Sequence, residues 1–193
     1  MAFRAQNVQR FPGHHNAPVS SFGGLDARVL VVGLAPGLHG ANRTGRPFTG
    51  DAAGDLLYPS LTAHGLATGR FEARADDGLT PRDCRITNAV RCVPPGNKPT
   101  GAEINLCNGY LAAEIVAMKR LRVILALGAI AHGAVLRALG IKSSRHRFAH
   151  GARHDLGGST MVDSYHCSRL NTNTGRLTPK MFLNVVREVA SRK

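Results

Sequence analysis

The chain has 193 residues, of which 25 are Lys or Arg and 12 are Asp or Glu, so its net charge is +13. This length suits one domain with one core. The positive charge favours a polyanionic partner, above all nucleic acid, although a general bias toward basic residues would look the same. No apolar run is long enough to span a membrane and the first residues lack the apolar centre of a signal peptide, so we expect a cytoplasmic protein with no membrane contact.

Four cysteines are present, at positions 84, 92, 107 and 167. A chain without a secretion signal gives no reason to expect disulfides among them, and the sequence contains no C-x-x-C pair. A self-contained zinc or thioredoxin-like site is therefore not indicated.

The first part of the chain predicts a strand and a helix joined by a long loop. Residues 1–27 are expected to be irregular, apart from a helix end over 2–8 that no capping residue precedes. Residues 28–33 are aliphatic and β-branched and end in glycine, which predicts a buried strand of a parallel sheet, and residues 52–66 predict a helix. The loop between them, residues 33–51, contains five glycines, which let its backbone approach a ligand closely.

The rest of the chain continues this alternation. Strands are predicted over 85–90, 122–128 and 161–166. Helices are predicted from a capping box at Thr100 to about residue 120, over 129–139, and from Pro179 onward. The polar residues 67–82 are expected to form a connection, and residues 142–155 a basic loop.

The alternation of strand and helix predicts an α/β fold, a parallel sheet with helices on both faces, in a single domain over residues 1–193. Because ligands bind at the carboxyl ends of such strands, Gly33, Asn88 and His166 should face one crevice.

The residues at this edge suggest a binding site but do not define one. The loop 33–51 contains neither the P-loop nor the dinucleotide fingerprint, but its backbone amides can hold an anion or a carbonyl oxygen. Phe48 suits either a core position or a stacking platform. The Asn88 amide can donate to and accept from a pyrimidine edge, or simply satisfy neighbouring backbone groups. His166 suits a hydrogen-bond donor or an acid.

Three stretches, residues 33–51, 86–99 and 164–178, resemble the motifs of one enzyme family. Together they are similar to the family 5 (type B) uracil-DNA glycosylases, and the resemblance extends in order over nearly the whole chain. It implies a three-layer α/β/α sandwich with a central four-stranded parallel sheet. It also implies removal of uracil, and often of other deaminated bases such as hypoxanthine, from DNA at the start of base-excision repair, with the target nucleotide flipped out of the helix.

The resemblance implies roles for individual residues. Phe48 would stack on the base, Asn88 would read its edge, and His166 would hydrogen-bond the base oxygen on which negative charge develops. The backbone from Gly33 to Pro36, which includes Ala35, would form a wall for the base.

DNA contacts are implied for a second set of residues. Arg169 and Leu170 belong to the loop that relatives insert into the minor groove, where Leu170 would fill the gap left by the flipped base, and Arg46 and Arg176 would contact phosphates. The set consists of Arg46, Arg169, Leu170, Asn171 and Arg176. The basic segment 142–154 is a further candidate for phosphate contact, and each of its arginines equally suits a solvated surface position.

The group that activates water is not defined by the resemblance. Other branches of the superfamily have an acidic or amide side chain where this chain has Leu34 and Ala35, which cannot polarise water. Asn42 and Asp51 are the nearest polar candidates, although Asp51 equally suits the cap of the following helix. Catalysis would then depend mostly on stabilising the leaving group and the oxocarbenium ion.

The resemblance also implies a structural [4Fe–4S] cluster on four cysteines. Cys92 and Cys107 match two of these ligands, but the other two, a C-x-x-C pair near the N-terminus, have no counterpart here. Either the lineage has lost the cluster or the sequence starts too late. We favour the second, because the helix at Ala2 begins uncapped, and we expect an in-frame C-x-x-C pair upstream of Met1 in the coding DNA.

Two alternatives stay open. One is a hypoxanthine or mismatch glycosylase with weak activity on uracil, and the other is a catalytically weak DNA-binding protein of the same fold that senses damaged bases. In every case the expected partner is DNA, and a monomer is expected.

Overall fold

A five-stranded sheet forms the centre of the structure, a computed structural model that describes residues 2–193. The strands, in chain order, are β1 (Val29–Gly33), β2 (Ala67–Thr68), β3 (Thr80–Pro81), β4 (Cys84–Asn88), β5 (Val123–Leu127), β6 (Arg153–Asp155) and β7 (Thr160–Ser164). The helices are α1 (Ala2–Arg10), α2 (Ala41–Thr44), α3 (Ala52–Ala63), α4 (Gly101–Ala117), α5 (Ala129–Ala138), α6 (Arg169–Asn173) and α7 (Pro179–Ser191).

The strand order in the central sheet is β4-β1-β5-β7-β6, and the first four strands are parallel. These four confirm the predicted parallel sheet and its helices on both faces. The fifth, β6, is a short antiparallel edge strand that pairs with β7, and the sequence did not predict it. Its three residues lie in the basic stretch 142–155, whose charged side chains suggested only a loop. Met1, on which the expectation of a late start depends, lies outside the described residues.

Alternating residues of each buried strand supply two apolar layers. Val29 and Val31 of β1 pack with α3 and α7 on one face, while Leu30 and Val32 pack with α4 and α5 on the other. All five residues of β1 and of β5 are buried, as expected for parallel strands covered on both sides. The sheet is therefore the middle layer of an α/β/α sandwich.

Side-chain caps fix where the helices begin, and hence where the loops at the sheet edge end. Asp51 accepts a hydrogen bond from the backbone nitrogen of Ala53 and caps α3, and Thr100 forms the predicted capping box with Glu103 at the start of α4. Thr178 caps α7 in the same way, with proline at the first helical position.

The connections reverse direction in the middle of the sheet. The chain leaves β1 toward β4 on one side and leaves β5 toward β7 on the other, although β1 and β5 are neighbours. Such a reversal opens a crevice at the carboxyl ends of the two strands, which is where α/β proteins bind ligands. The loop after β1 and the start of α5 border this crevice.

Asp163 of β7 is a fully buried carboxylate on the face that packs against α5. Its two oxygens are hydrogen-bonded to ring nitrogens of His132 and His154, each at 2.9 Å. The other ring nitrogen of His132 lies 2.9 Å from the carbonyl oxygen of His146. Because a carbonyl and a carboxylate only accept hydrogen bonds, both nitrogens of His132 donate, and the ring is a buried imidazolium. This pair joins β7, α5 and β6.

No helix within residues 2–193 combines the length and the apolar character needed to cross a membrane.

The buried ion pair makes stability depend on pH. Burial lowers the pKa of His132, but the hydrogen bond and charge of Asp163 outweigh it, so the net pKa is raised. A raised pKa in the folded state means stabilisation that is complete below the ordinary histidine value and is lost as pH rises through the folded value. We expect the unfolding midpoint to fall as the pH is raised from about 6 to about 9.

The variant His132→Gln checks this assignment. It should lose roughly 3 kcal/mol at the lower pH, because it leaves a buried carboxylate without its charged partner, and should lose most of the pH dependence. The control is His39→Gln, which removes an exposed imidazole. An unchanged pH profile in His132→Gln, measured by thermal unfolding, would contradict the ion pair.

Candidate active site

A cavity of about 680 Å³ lies at the carboxyl ends of β1 and β5, where the strand order reverses. Its walls come from the loop after β1, the start of α3, the start of α5 and the segment that follows β7. The lining residues are Leu34, Ala35, Gly37, Leu38, His39, Gly40, Gly50, Asp51, Ala52, Ala53, Asn97, Leu127, Gly128, Ala129, Ile130, His166, Ser168 and Arg169.

Three residues from two of the sequence motifs, 33–51 and 86–99, meet beside this cavity. A Cβ atom placed on Gly33 would lie 2.3 Å from Cζ of Phe48 and 2.4 Å from Oδ1 of Asn88. Gly33 does not have a positive φ, so space rather than backbone conformation requires glycine there. With His166, which stacks on Phe48, they form the group that we call the four-residue cluster: Gly33, Phe48, Asn88 and His166.

Phe48 fits both interpretations that its sequence left open. It is buried and belongs to the apolar core on the α3 side. Its ring also stacks on the imidazole of His166, with centroids 6.0 Å apart and planes inclined by 27°. It has a φ of +52°, which is unusual for a residue other than glycine. The ring is therefore part of the apolar core and contacts the imidazole of His166, which lines the cavity.

Asn88 ends β4 and is 6% exposed. Its backbone pairs with β1, but its side-chain amide has no hydrogen-bond partner within residues 2–193. A buried amide without partners is costly unless a water or a ligand satisfies it. The Asn88 amide thus offers one donor and one acceptor to a bound molecule.

His166 lies two residues beyond the end of β7, although the sequence predicted that the strand would reach it. Burial lowers the pKa of His166 to about 4, so its ring is neutral near pH 7. The carbonyl oxygen of His166 accepts a hydrogen bond of 2.8 Å from Nδ2 of Asn171, which fixes the turn after the strand. The side-chain amide of Asn171, which the sequence suggests contacts DNA, therefore forms a hydrogen bond within the protein.

Asp51 is confirmed as a helix cap and also lines the cavity. One carboxylate oxygen accepts from the backbone of Ala53, while the other faces the loop, where a Cβ on Gly40 would lie 2.3 Å from it. Burial raises the pKa of Asp51 above the ordinary range, and the backbone hydrogen bonds only partly oppose this. Asp51 supplies the carboxylate among the residues that line the cavity.

Two of the predicted site residues belong to the interior instead. Asn42 is 1% exposed, and its Nδ2 donates to Oδ1 of Asn16, so it holds the N-terminal segment against the loop and does not face the cavity. Arg46 is 5% exposed, and its guanidinium forms two hydrogen bonds of 2.7 Å with Asp77. The long loop folds back on itself and buries both side chains, so the structure gives no support to a catalytic Asn42 or a DNA-binding Arg46, and both roles stay predictions.

The other predicted DNA contacts lie at the surface beside the cavity. Arg169 is exposed and lines the cavity, and Leu170 on α6 is 73% exposed. The guanidinium of Arg176 lies over the ring of Tyr165, 4.5 Å from its centroid. In the basic segment 142–154, Arg153 is paired with Glu188, so this arginine is less available for phosphate than its sequence suggested.

The cysteines present do not fit a four-cysteine cluster. Cys84 and Cys167 are buried in the apolar core, where burial raises the pKa of each thiol. Cys92 and Cys107 are half-buried. Within residues 2–193 the only group of three or more potential metal ligands is His132, His154 and Asp163, which the hydrogen bonds described above account for. Residues 2–193 therefore supply at most two of the four thiolates.

Sequence reasoning missed several residues that shape the site. Asp77 lies in the polar stretch 67–82, which suggested only a connection, and Asn97 lines the cavity from the loop after β4. Asp163 had a usable signal, since a carboxylate in an otherwise apolar strand must find a partner. Nothing in the sequence connects Asp77 to Arg46, because that contact spans 31 residues.

Similarity to known proteins agrees with this geometry. A family model described as "Uracil DNA glycosylase superfamily" matches residues 20–190. The chain belongs to this superfamily. Within it, the chain is 49% identical to the type-5 uracil-DNA glycosylase of Thermus thermophilus over 172 residues, which are 89% of this chain and 78% of that protein. The type-5 enzymes of Pyrobaculum aerophilum and Mycobacterium leprae are 45% and 46% identical, each over 174 residues and 76% of their length, which is 90% and 89% of this chain.

In this superfamily member, Gly33→Ala tests the packing of the four-residue cluster. The added methyl group would overlap Phe48 and Asn88, so we expect a loss of about 1–3 kcal/mol in the free energy of unfolding. The control Gly133→Ala adds a methyl group in α5, where nothing lies within 4 Å, and should leave stability unchanged or raise it. Equal stability of the two variants in denaturant unfolding would show that the cluster is not close-packed.

Proposed function

We propose that this chain hydrolyses the N-glycosidic bond of uracil in DNA and so initiates base-excision repair. The observation that carries the proposal is the four-residue cluster, in which an unpartnered amide, a stacking ring and a neutral imidazole meet at one crevice. The names of the type-5 relatives support the substrate. A base inside a duplex cannot reach these groups, so the target nucleotide must be flipped into the crevice.

Recognition of the base would depend on Asn88. Uracil presents an N–H next to a carbonyl oxygen, and one fixed amide can accept from the first and donate to the second. Cytosine presents the opposite order of donor and acceptor, so the same orientation leaves it unpaired. Hypoxanthine shares the N–H and carbonyl edge of uracil, which is why we include it among the proposed substrates. Phe48 would stack on the face of either base.

His166 would supply the main stabilisation of the transition state. As the glycosidic bond breaks, negative charge develops on the base oxygens. A neutral imidazole that is held in place has one N–H, which can donate a hydrogen bond to that charge. Its lowered pKa keeps it in this form near pH 7.

The attacking water remains the least constrained part of the mechanism. Leu34 and Ala35 line the cavity without a polar side chain, and Asn42 faces away from it. We therefore assign water orientation, and electrostatic stabilisation of the sugar cation, to the free oxygen of Asp51. Because one oxygen of Asp51 caps α3, its position is fixed independently of substrate.

DNA binding would involve the exposed residues around the cavity mouth. Leu170 is an exposed apolar side chain beside the site, and we propose that it fills the space vacated by the flipped base. Arg169 and Arg176 would contact phosphates, supported by the overall charge of +13. Action in the cytoplasm, a monomeric state and the single domain over 1–193 stay predictions.

The activity is tested on duplex DNA that contains one uracil, cleaved with alkali after incubation. The wild-type chain should produce alkali-labile sites with uracil and with hypoxanthine. His166→Ala and Asn88→Ala should each lower the single-turnover rate by roughly 10²- to 10³-fold, the usual cost of losing one donor to a developing oxyanion.

The control is Asn184→Ala, an exposed position on α7 that lies away from the cavity. It should retain the wild-type rate. If the wild-type chain cleaves neither substrate but binds uracil-containing DNA more tightly than normal DNA, the protein is a damage sensor. Cleavage of the hypoxanthine substrate with little or no cleavage of the uracil substrate would favour the alternative of a hypoxanthine or mismatch glycosylase.

A structural iron–sulfur cluster stays a proposal, since residues 2–193 supply at most two of its four thiolates. If Cys92 and Cys107 are two of its four ligands, the chain as given should not retain iron stoichiometrically. Iron analysis and visible absorption after anaerobic purification measure this. Stoichiometric iron that Cys92→Ser removes would contradict our conclusion that these residues do not fit the cluster.

A further inference from the structure

We propose that Arg46, held by Asp77, is the positioning residue for the stacking ring Phe48. The catalytic consequence of this inference depends on the proposed function, whereas its structural consequence does not. Arg46 is buried and does not line the cavity. Any role of Arg46 in uracil release must therefore act through the residues that it contacts.

Phe48 needs external support because its backbone has a φ of +52°. Residues other than glycine avoid this left-handed region, and they persist there only when the surroundings enforce it. Relaxing the backbone at this residue would swing the ring away from His166. The position of the ring therefore depends on how firmly the adjoining residues are held.

Aromatic rings and a carboxylate hold the guanidinium of Arg46 in place. Its guanidinium lies 5.2, 5.3 and 5.8 Å from the ring centroids of Phe22, Tyr58 and Phe71, so aromatic rings surround it. Nη1 and Nη2 donate to the two oxygens of Asp77, each at 2.7 Å.

The third nitrogen of Arg46, Nε, connects the guanidinium to Thr49, the residue that follows Phe48. Nε of Arg46 donates to Oγ1 of Thr49 at 2.8 Å, and that hydroxyl donates to the carbonyl oxygen of Pro47. The hydroxyl of Tyr58 donates to the same carbonyl at 2.6 Å. The residues on both sides of Phe48 are thus bound to one network that has Arg46 at its centre.

The helix that follows leaves no room for another backbone path. A Cβ on Gly54 of α3 would lie 1.9 Å from the carbonyl oxygen of Phe48. The backbone of Phe48 is therefore confined by α3 on one side and by the Arg46 network on the other.

Asp77 acts as the anchor of the network. Besides Arg46, its oxygens accept hydrogen bonds of 3.0 Å from the backbone nitrogens of Glu72 and Leu79. The Arg46 guanidinium, followed by these backbone bonds, holds the pKa of the Asp77 carboxyl well below its usual range, so it stays ionised. The polar segment 67–82, which the sequence suggests is only a connection, thereby supports the stacking ring.

Lysine cannot replace arginine in this network. A single ammonium group cannot donate to both oxygens of Asp77 and to Thr49 while lying flat between aromatic rings. Arg46→Lys keeps the charge and removes this geometry, which makes it the informative substitution.

A double-mutant cycle tests whether Arg46 acts through Phe48. Arg46→Lys should lower the single-turnover rate of uracil release by roughly 10- to 100-fold, as expected for a misplaced contact group. In a Phe48→Ala background the same substitution should cause little further loss. If the two losses multiply, Arg46 does not act through Phe48 and the proposal fails.

A second measurement does not require activity. Because Phe48 stacks on His166, movement of the ring should shift the Cε1 proton resonance of His166, observed by NMR without DNA. Arg46→Lys should move this resonance in the same direction as Phe48→Ala. An unmoved resonance overturns the proposal even if the wild type is active, and a moved one supports it even if the wild type releases no base.

The matched control is Arg85→Lys, which alters a half-buried arginine that pairs with the buried Glu114 on the opposite face of the sheet. It should lower the unfolding midpoint like Arg46→Lys but leave both the rate and the His166 resonance unchanged. If Arg46→Lys does not fold, Thr49→Val removes the hydrogen bond from Nε of Arg46 and the one that the Thr49 hydroxyl donates to Pro47, and it should give a smaller change in the same two readouts. If Thr49→Val changes the rate and the His166 resonance no more than Arg85→Lys does, the positioning role of Arg46 is contradicted.

Discussion

The whole site depends on the missing side chain at Gly33. Where β1 ends, a ring from its own loop and an amide from the neighbouring strand β4 approach the same Cα so closely that a methyl group does not fit. This contact brings together parts of the chain that are separated by 40 residues between Phe48 and Asn88. Parallel pairing of β1 and β4 places Asn88 beside Gly33 at the end of the sheet. The loop after β1 must then return Phe48 to these two residues.

Burial at this edge also sets the protonation of the groups. His166 is desolvated without an acidic partner, so its pKa falls and its ring is neutral. His132, on α5, is desolvated beside the carboxylate of Asp163, so its pKa rises and the ring stays protonated to higher pH. The same residue type thus supplies a neutral donor at the crevice and a cation in the interior, and the difference is the presence of Asp163.

Features that follow from the ends of strands could be predicted from the sequence. The positions of side chains within the loop after β1 could not, because they depend on the path of that loop. Buried aliphatic runs located the four parallel strands, and the rule about their carboxyl ends brought Gly33, Asn88 and His166 together. The sequence suggests Asn42 as a catalytic candidate because it is one of the nearest polar residues in the loop after β1, and Arg46 as a DNA contact because it is a basic residue of the same loop. The contacts that bury them come from distant positions, and no local pattern encodes such a pairing. The edge strand β6 was missed because three residues are too few to show a period.

Each wall of the four-residue cluster is backed by a buried ion pair. Arg46 and Asp77 support the loop that carries Phe48, and His132 and Asp163 tie β7, which leads to His166, to α5 and β6. Buried ion pairs contribute little net stability, because the cost of removing two charges from water offsets most of their attraction. What they do impose is geometry, since neither partner can leave without stranding the other. A site that would hold a flat base against the Phe48 ring and within hydrogen-bond reach of His166 needs fixed spacing more than it needs stability.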